Sequence, residues 1–147
     1  MQSNNEIGAL DKFISKDALL LIGRVLVSLI FIWSGIGKVM NFGGMSGYIG
    51  SLGLPVPELF TVIEIIIELG GGLALFFGVL FRLAVLGIIV HTILTALLVH
   101  HFWSVAADQA LEQTIQFMKN VTIVGGLLFL NVQGPGAINL GRILDRK

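Results

Sequence analysis

The chain has 147 residues, 55% hydrophobic and 12% charged, with nine basic and nine acidic side chains and a formal net charge of zero. Soluble domains carry about 25% charged residues, so most of this chain is built for lipid, and the zero balance supplies no field that would draw nucleic acid. The lack of cysteine excludes thiol chemistry, disulfides, thiolate metal sites and cysteine-bound iron–sulfur clusters.

Residues 1–17 are polar and are read as an N-terminal tail, with Ile7, Leu10 and Ile14 spaced for a short interfacial helix. They hold no apolar centre and no small-x-small cleavage pattern follows the first apolar run, so that run is read as a retained span and not a cleaved leader. Ser15 is placed to cap it, with Asp17 in the first turn where the helix dipole favours an acid. The run itself is Leu19–Met40. A bilayer core about 30 Å thick takes about 20 helical residues at about 1.5 Å each, and this run meets that length. Arg24, Phe31, Gly35 and Lys38 fall on one face of it.

Asn41–Pro55 carries glycines at 43, 44, 47, 50 and 53. It is too short and glycine-rich to span, so a re-entrant or surface helix is expected, with Tyr48, Ile49, Leu52 and Leu54 at the interface. Pro57 suits the first turn of a second span, Val56–Phe77, and Gly78 suits its C-terminal stop. Only a few residues separate this span from a third, Phe81–Trp103, which predicts an antiparallel hairpin. Gly70, Ala74 and Gly78 form a small-residue stripe, read as a helix-packing seam. Trp103 fits an interfacial belt. Asp108 is read as the cap of a fourth helix that must begin near Gln109 for its apolar part, Phe117–Val132, to span. Gln133-Gly134-Pro135-Gly136 stops it, and Ala137–Lys147 is expected to hold a short amphipathic helix using Ile138, Leu140, Ile143 and Leu144. The fold class is therefore all-α: an integral membrane four-helix bundle with short interfacial helices, one domain over 18–133 between tails 1–17 and 134–147.

Four spans put both termini on one side. That side collects Lys12, Lys16, Arg24, Arg82, Arg142, Arg146 and Lys147, against Lys38 and Lys119 on the other. The bias places both termini in the cytoplasm.

Charges inside such helices cost several kcal/mol unless paired, solvated or snorkelling (about 2.5–3.5 on insertion scales). Helical rise places Glu68 near mid-depth, Glu64 roughly 6 Å further out and Arg24 roughly 9 Å toward the cytoplasm. An inner group of Arg24, Glu68 and His91 and an outer group of Lys38, Glu64, His101, Gln116, Lys119 and Asn120 follow. Glu64 and Glu68 are four apart on one helix, so one carboxylate face serves both groups. Glu68 is expected to pair with Arg24 or His91. Plainer readings stay open: Arg24, Lys38 and Arg82 can snorkel, His100 and His101 can be interfacial, His91 can bond a backbone carbonyl, and the glutamates can form structural ion pairs. No Glu-x-x-His or His-x-x-x-His spacing occurs, so no metal is expected.

Gly23-Arg24-Val25-Leu26 with Phe31, Gly35, Gly37 and Lys38 resembles the opening helix of the DoxX family of small bacterial membrane proteins. Leu52-Gly53-Leu54-Pro55, Glu68-Leu69-Gly70-Gly71, Lys119-Asn120, Gly125-Gly126 and Gly134-Pro135-Gly136 continue the likeness in order along almost the whole chain. Asn139 and Gly141 stand where the family tail often has serine and aspartate. The resemblance implies a four-helix bundle in the bacterial inner membrane, associated with quinone-linked oxidoreductase subunits, sulfur oxidation or oxidative-stress complexes. It marks Arg24, Lys38, Glu68, Lys119 and Asn120 as positions to watch.

The functional expectation is an accessory subunit that binds a quinone or small amphipathic molecule between helices, with Arg24, Lys38, Glu64, Glu68, His91, Lys119 and Asn120 as ligand-binding candidates. No covalent cofactor is expected, and whether the chain catalyses anything is left open. The expected partners are the lipid bilayer and either an oxidoreductase subunit or a second copy of the chain. The alternatives are a proton or small-solute transport bundle and a non-catalytic assembly scaffold.

Overall fold

The computed structural model describes residues 15–144, so the expected helix around Ile7, Leu10 and Ile14 lies outside the described residues. The described residues form helices and no strands: α1 Lys16–Met40, α2 Phe42–Ser51, α3 Pro57–Phe77, α4 Phe81–Leu98, α5 Ala107–Gln133 and α6 Leu140–Leu144, with a 3₁₀ turn Phe102–Ser104 before α5. α1, α3, α5 and α4 with its 3₁₀ extension are long and apolar enough to cross a membrane. Their outer faces are apolar side chains left exposed, such as Trp33, Leu83 and Phe129, which lipid covers.

Local chemistry sets the element ends. Ser15 caps α1 by accepting from the Ala18 N–H at 3.2 Å. Asn41 caps α2, the short helix expected in the glycine-rich connection. Pro57 opens α3, and Gly78 ends it in the left-handed region at φ 71°. Asp108 is not the cap of α5: the helix begins at Ala107, its cap position is Ala106, and Asp108 sits in the first turn, where the dipole still favours it. In the tail, Asn139 caps α6, its Oδ1 accepting from the Arg142 N–H at 2.7 Å.

α1 packs along α3, α3 on α4, α4 on α5, and α5 closes the ring against α1. Along the stripe Gly70, Ala74 and Gly78, it is Gly78 that sits at a close approach, where an added Cβ would lie 2.6 Å from Asn139 Cβ and 2.7 Å from an Arg24 guanidinium nitrogen. Gly70 is exposed with open space around it. A Cβ on Gly35 would instead lie 2.6 Å from Leu69 Cβ, and one on Gly72 would lie 3.1 Å from the Ile32 backbone nitrogen. The seam thus runs through Gly35 of α1 and Gly72 of α3.

The packed apolar core, with Leu75, Val85, Ile88, Leu127 and Leu130 at its centre, occupies the half of the bundle nearest the described termini. The half beyond it is where the polar side chains gather. α3 carries a π turn there, Ile66–Gly70, which contains Glu68. Such single π turns recur at functional sites.

Candidate functional site

Three of the four main helices contribute to one polar cluster. Lys38 comes from the last turn of α1, Glu64 and Glu68 from the middle of α3, and His91 from the middle of α4. Lys38 Nζ lies 2.9 Å from Glu64 Oε2 and 2.7 Å from Glu68 Oε1. His91 Nε2 donates to the same Glu68 Oε1 at 2.9 Å. One carboxylate oxygen therefore carries an ammonium and an imidazole. The other, Oε2, is buried with no hydrogen-bond partner, as are Thr92 Oγ1 and Asn120 Nδ2. Buried polar groups are rarely left unpaired, because desolvation costs about 1–3 kcal/mol each.

The cluster is protected. The Glu68 side chain is 8% exposed and Lys38 15%. Lys38 does not snorkel to the surface, because two carboxylates hold it against α3. His91 does not bond a backbone carbonyl, because Glu68 lies within reach one helix away.

These residues line a cavity of about 820 Å³ together with Lys119, Asn120, Ser34, Thr95 and His100. Its remaining wall is largely apolar, with Phe31, Tyr48, Phe60 and Ile123 among the lining side chains, and the α2 connection contributes Leu52 and Leu54. Lys119 donates to Gln116 Oε1 on the exposed face of α5, while Asn120 beside it is buried. His100 is tied to α5 through Gln113 Oε1 at 2.9 Å.

Six of the seven sequence candidates thus meet at one cavity: Lys38, Glu64, Glu68, His91, Lys119 and Asn120. Arg24 does not, which corrects the expected inner group. Its guanidinium donates to the Pro135 carbonyl at 2.6 Å and the Ile138 carbonyl at 2.9 Å, at the other end of the bundle. The fold offers it tail carbonyls near its own depth, so it has no need of Glu68. His101 also stays outside the cavity and pairs locally with Ser104 Oγ at 2.7 Å. Sequence reasoning missed Ser34, Thr92 and Thr95. Ser34 carried a signal: it precedes Lys38 by one helical turn and so shares its face. Among the described residues no group of histidine and acidic side chains is arranged to hold a metal.

The arrangement suits an uncharged amphiphile. Its wall is largely apolar and includes Glu68 and Asn120, each with one buried polar atom left without a partner, and the volume is within the roughly 300–1,000 Å³ of small-molecule pockets.

Comparison with known proteins gives a consistent assignment. The DoxX family model matches residues 19–101, more than half of the chain and the whole stretch that carries Lys38, Glu64, Glu68 and His91. The chain is 39% identical over 128 residues to the inner membrane protein YphA of Escherichia coli (strain K12), covering 87% of this chain and 91% of YphA. It is 37% identical over 132 residues to the inner membrane protein YqjF of the same organism, covering 90% of this chain and 96% of YqjF. No solved structure matches.

Proposed function

The chain belongs to the DoxX family, and we propose that it is an inner-membrane binding protein whose cavity takes a quinone, serving as an accessory subunit of a quinone-linked oxidoreductase. The observation that carries this reading is that Glu68 and Asn120, which line a largely apolar cavity at membrane depth, each keep a buried polar atom without a hydrogen-bond partner, Oε2 and Nδ2. A quinone ring presents carbonyl acceptors and, when reduced, hydroxyl donors. With a turn of each side chain toward the cavity, Asn120 Nδ2 donates to the first and Glu68 Oε2 accepts from the second. The long apolar tail of such a molecule matches the aliphatic and aromatic wall. A bound quinone supplies two-electron redox chemistry, which the chain's own side chains do not. The protein's part is to bind and orient the ring and to exclude water. Lys38 sets the position of Glu68.

Asn120→Leu separates binding from folding. It removes an unpaired buried donor, so the fold keeps its stability, while the lost hydrogen bond lowers quinone affinity about tenfold. The full chain, purified in native lipid and extracted with organic solvent, should release quinone detectable by absorbance and mass spectrometry. Unchanged affinity in the variant, or the absence of quinone from native preparations, would overturn the reading. Proton or solute flux through proteoliposomes lacking quinone would assign transport instead.

The domain spans residues 18–133 in this reading, with both tails in the cytoplasm. The described basic residues at that end are Lys16, Arg24, Arg82 and Arg142, which supports the orientation. Cysteine labelling tests it. Gly47 has open space around its α-carbon, whereas neighbouring Ser46 is buried, so Gly47→Cys is the outer probe and Ser3→Cys the inner one. In intact cells an impermeant reagent should label Gly47→Cys and spare Ser3→Cys. The reverse pattern refutes the orientation.

A further inference from the structure

A second cavity, about 660 Å³, lies at the opposite end of the bundle from the Glu68 cluster. Its wall combines Leu21 and Arg24 of α1, Phe76 and Phe77 at the end of α3, and Arg142 and Ile143 of the tail. Arg24 is 2% exposed. Its guanidinium meets two backbone carbonyls, those of Pro135 and Ile138, and its Nε is buried with no hydrogen-bond partner. Among the described residues no carboxylate pairs with it. Asp17, the acid at this end among the described residues, has its Oδ1 engaged by the Ala137 N–H at 2.7 Å.

A buried guanidinium balanced only by carbonyl dipoles retains its positive charge in surroundings that solvate it poorly. An anion close by relieves this. Arg142 adds a second cation to the same wall, and its main chain is held there by the backbone N–H that donates to Asn139 Oδ1. Beside these cations the wall is aromatic and aliphatic. An anionic head with an apolar chain fits both halves, and a basic pocket between helices at the cytoplasmic end is the setting in which lipid phosphates are held.

We propose that this cavity binds an anionic phospholipid, with Arg142 contacting the headgroup phosphate, Arg24 supplying the buried charge beneath it, and Phe76 and Phe77 lying against the upper acyl chain. Inorganic phosphate shares the anionic chemistry but not the apolar contacts, so the two can be told apart.

The full chain in neutral detergent is titrated with dioctanoyl phosphatidylglycerol, dioctanoyl phosphatidylcholine or inorganic phosphate while the thermal midpoint is followed. The glycerol lipid should raise the midpoint saturably, and the choline lipid and free phosphate should not at the same concentrations. Arg142→Gln should weaken the apparent affinity about five- to tenfold, as loss of one cation near a phosphate predicts, and leave quinone binding in the other cavity unchanged. Native mass spectrometry of the wild-type chain, which needs no variant, should show phosphatidylglycerol retained in preference to phosphatidylcholine. Equal response to the two lipids, an unchanged affinity in Arg142→Gln, or a shift reproduced by inorganic phosphate alone would overturn the proposal.

Discussion

Lys38→Ala lowers the stability of the bundle by about 3–5 kcal/mol, the usual cost of breaking a buried ion pair by removing one partner. Lys38 Nζ is the one ammonium between Glu64 and Glu68, at 2.9 and 2.7 Å. Its removal leaves two carboxylates facing one another with only His91 to answer them. Glu68→Gln is milder, because Lys38 and Glu64 remain a balanced pair and Gln can still accept from His91. Combining Lys38→Met with Glu64→Gln and Glu68→Gln removes the charges together, so it recovers much of what Lys38→Ala loses. Unfolding midpoints in detergent measure all three. Equal losses for Lys38→Ala and Glu68→Gln would mean that the cluster is solvated and holds little of the bundle together.

The four spans were legible because bilayer thickness turns helix length into a simple count. The meeting of Glu68 with His91 was legible for a related reason: helical rise converts residue number to depth, and two mid-depth polar groups on neighbouring helices have few other partners. The same reasoning failed for Arg24. Depth placed it near Glu68, but its partners are backbone carbonyls of Pro135 and Ile138. They reach it only because Gly134 and Gly136 take positive φ, 79° and 76°, and fold the tail back under α1. A carbonyl leaves no mark in the residue pattern. The small-residue stripe was legible only in part, for another reason. Spacing of four identifies a face of α3 but not the neighbour it meets, and the partner glycine, Gly35, lies on a different helix. The π turn at Ile66–Gly70 left no composition signal at all, although it sets the angle at which Glu68 leaves α3.

Gly35→Ala should cost about 1–3 kcal/mol or more through overpacking, and it should disable the cavity as well. The added carbon would lie 2.6 Å from Leu69 Cβ, 2.7 Å from the Leu69 backbone nitrogen and 2.9 Å from its α-carbon. Two of those three atoms are backbone, so no rotamer change relieves the clash and α1 must move away from α3. Lys38 lies three residues beyond Gly35 on α1, and Glu68 is the residue before Leu69 on α3. The movement that accommodates one methyl group therefore stretches the Lys38–Glu68 contact. The matched control is Gly37→Ala on the same helix, where no atom lies within 4 Å of the added carbon. There the substitution should stabilise by about 0.5–1 kcal/mol, since alanine is the better helix former. Unfolding in detergent and quinone titration of both variants give the comparison. Loss of stability and of affinity together in Gly35→Ala, with neither in Gly37→Ala, ties the ligand cavity to the helix seam. Similar behaviour of the two variants would mean that α1 and α3 do not meet at Gly35, and the positions of Lys38 and Glu68 would need another cause.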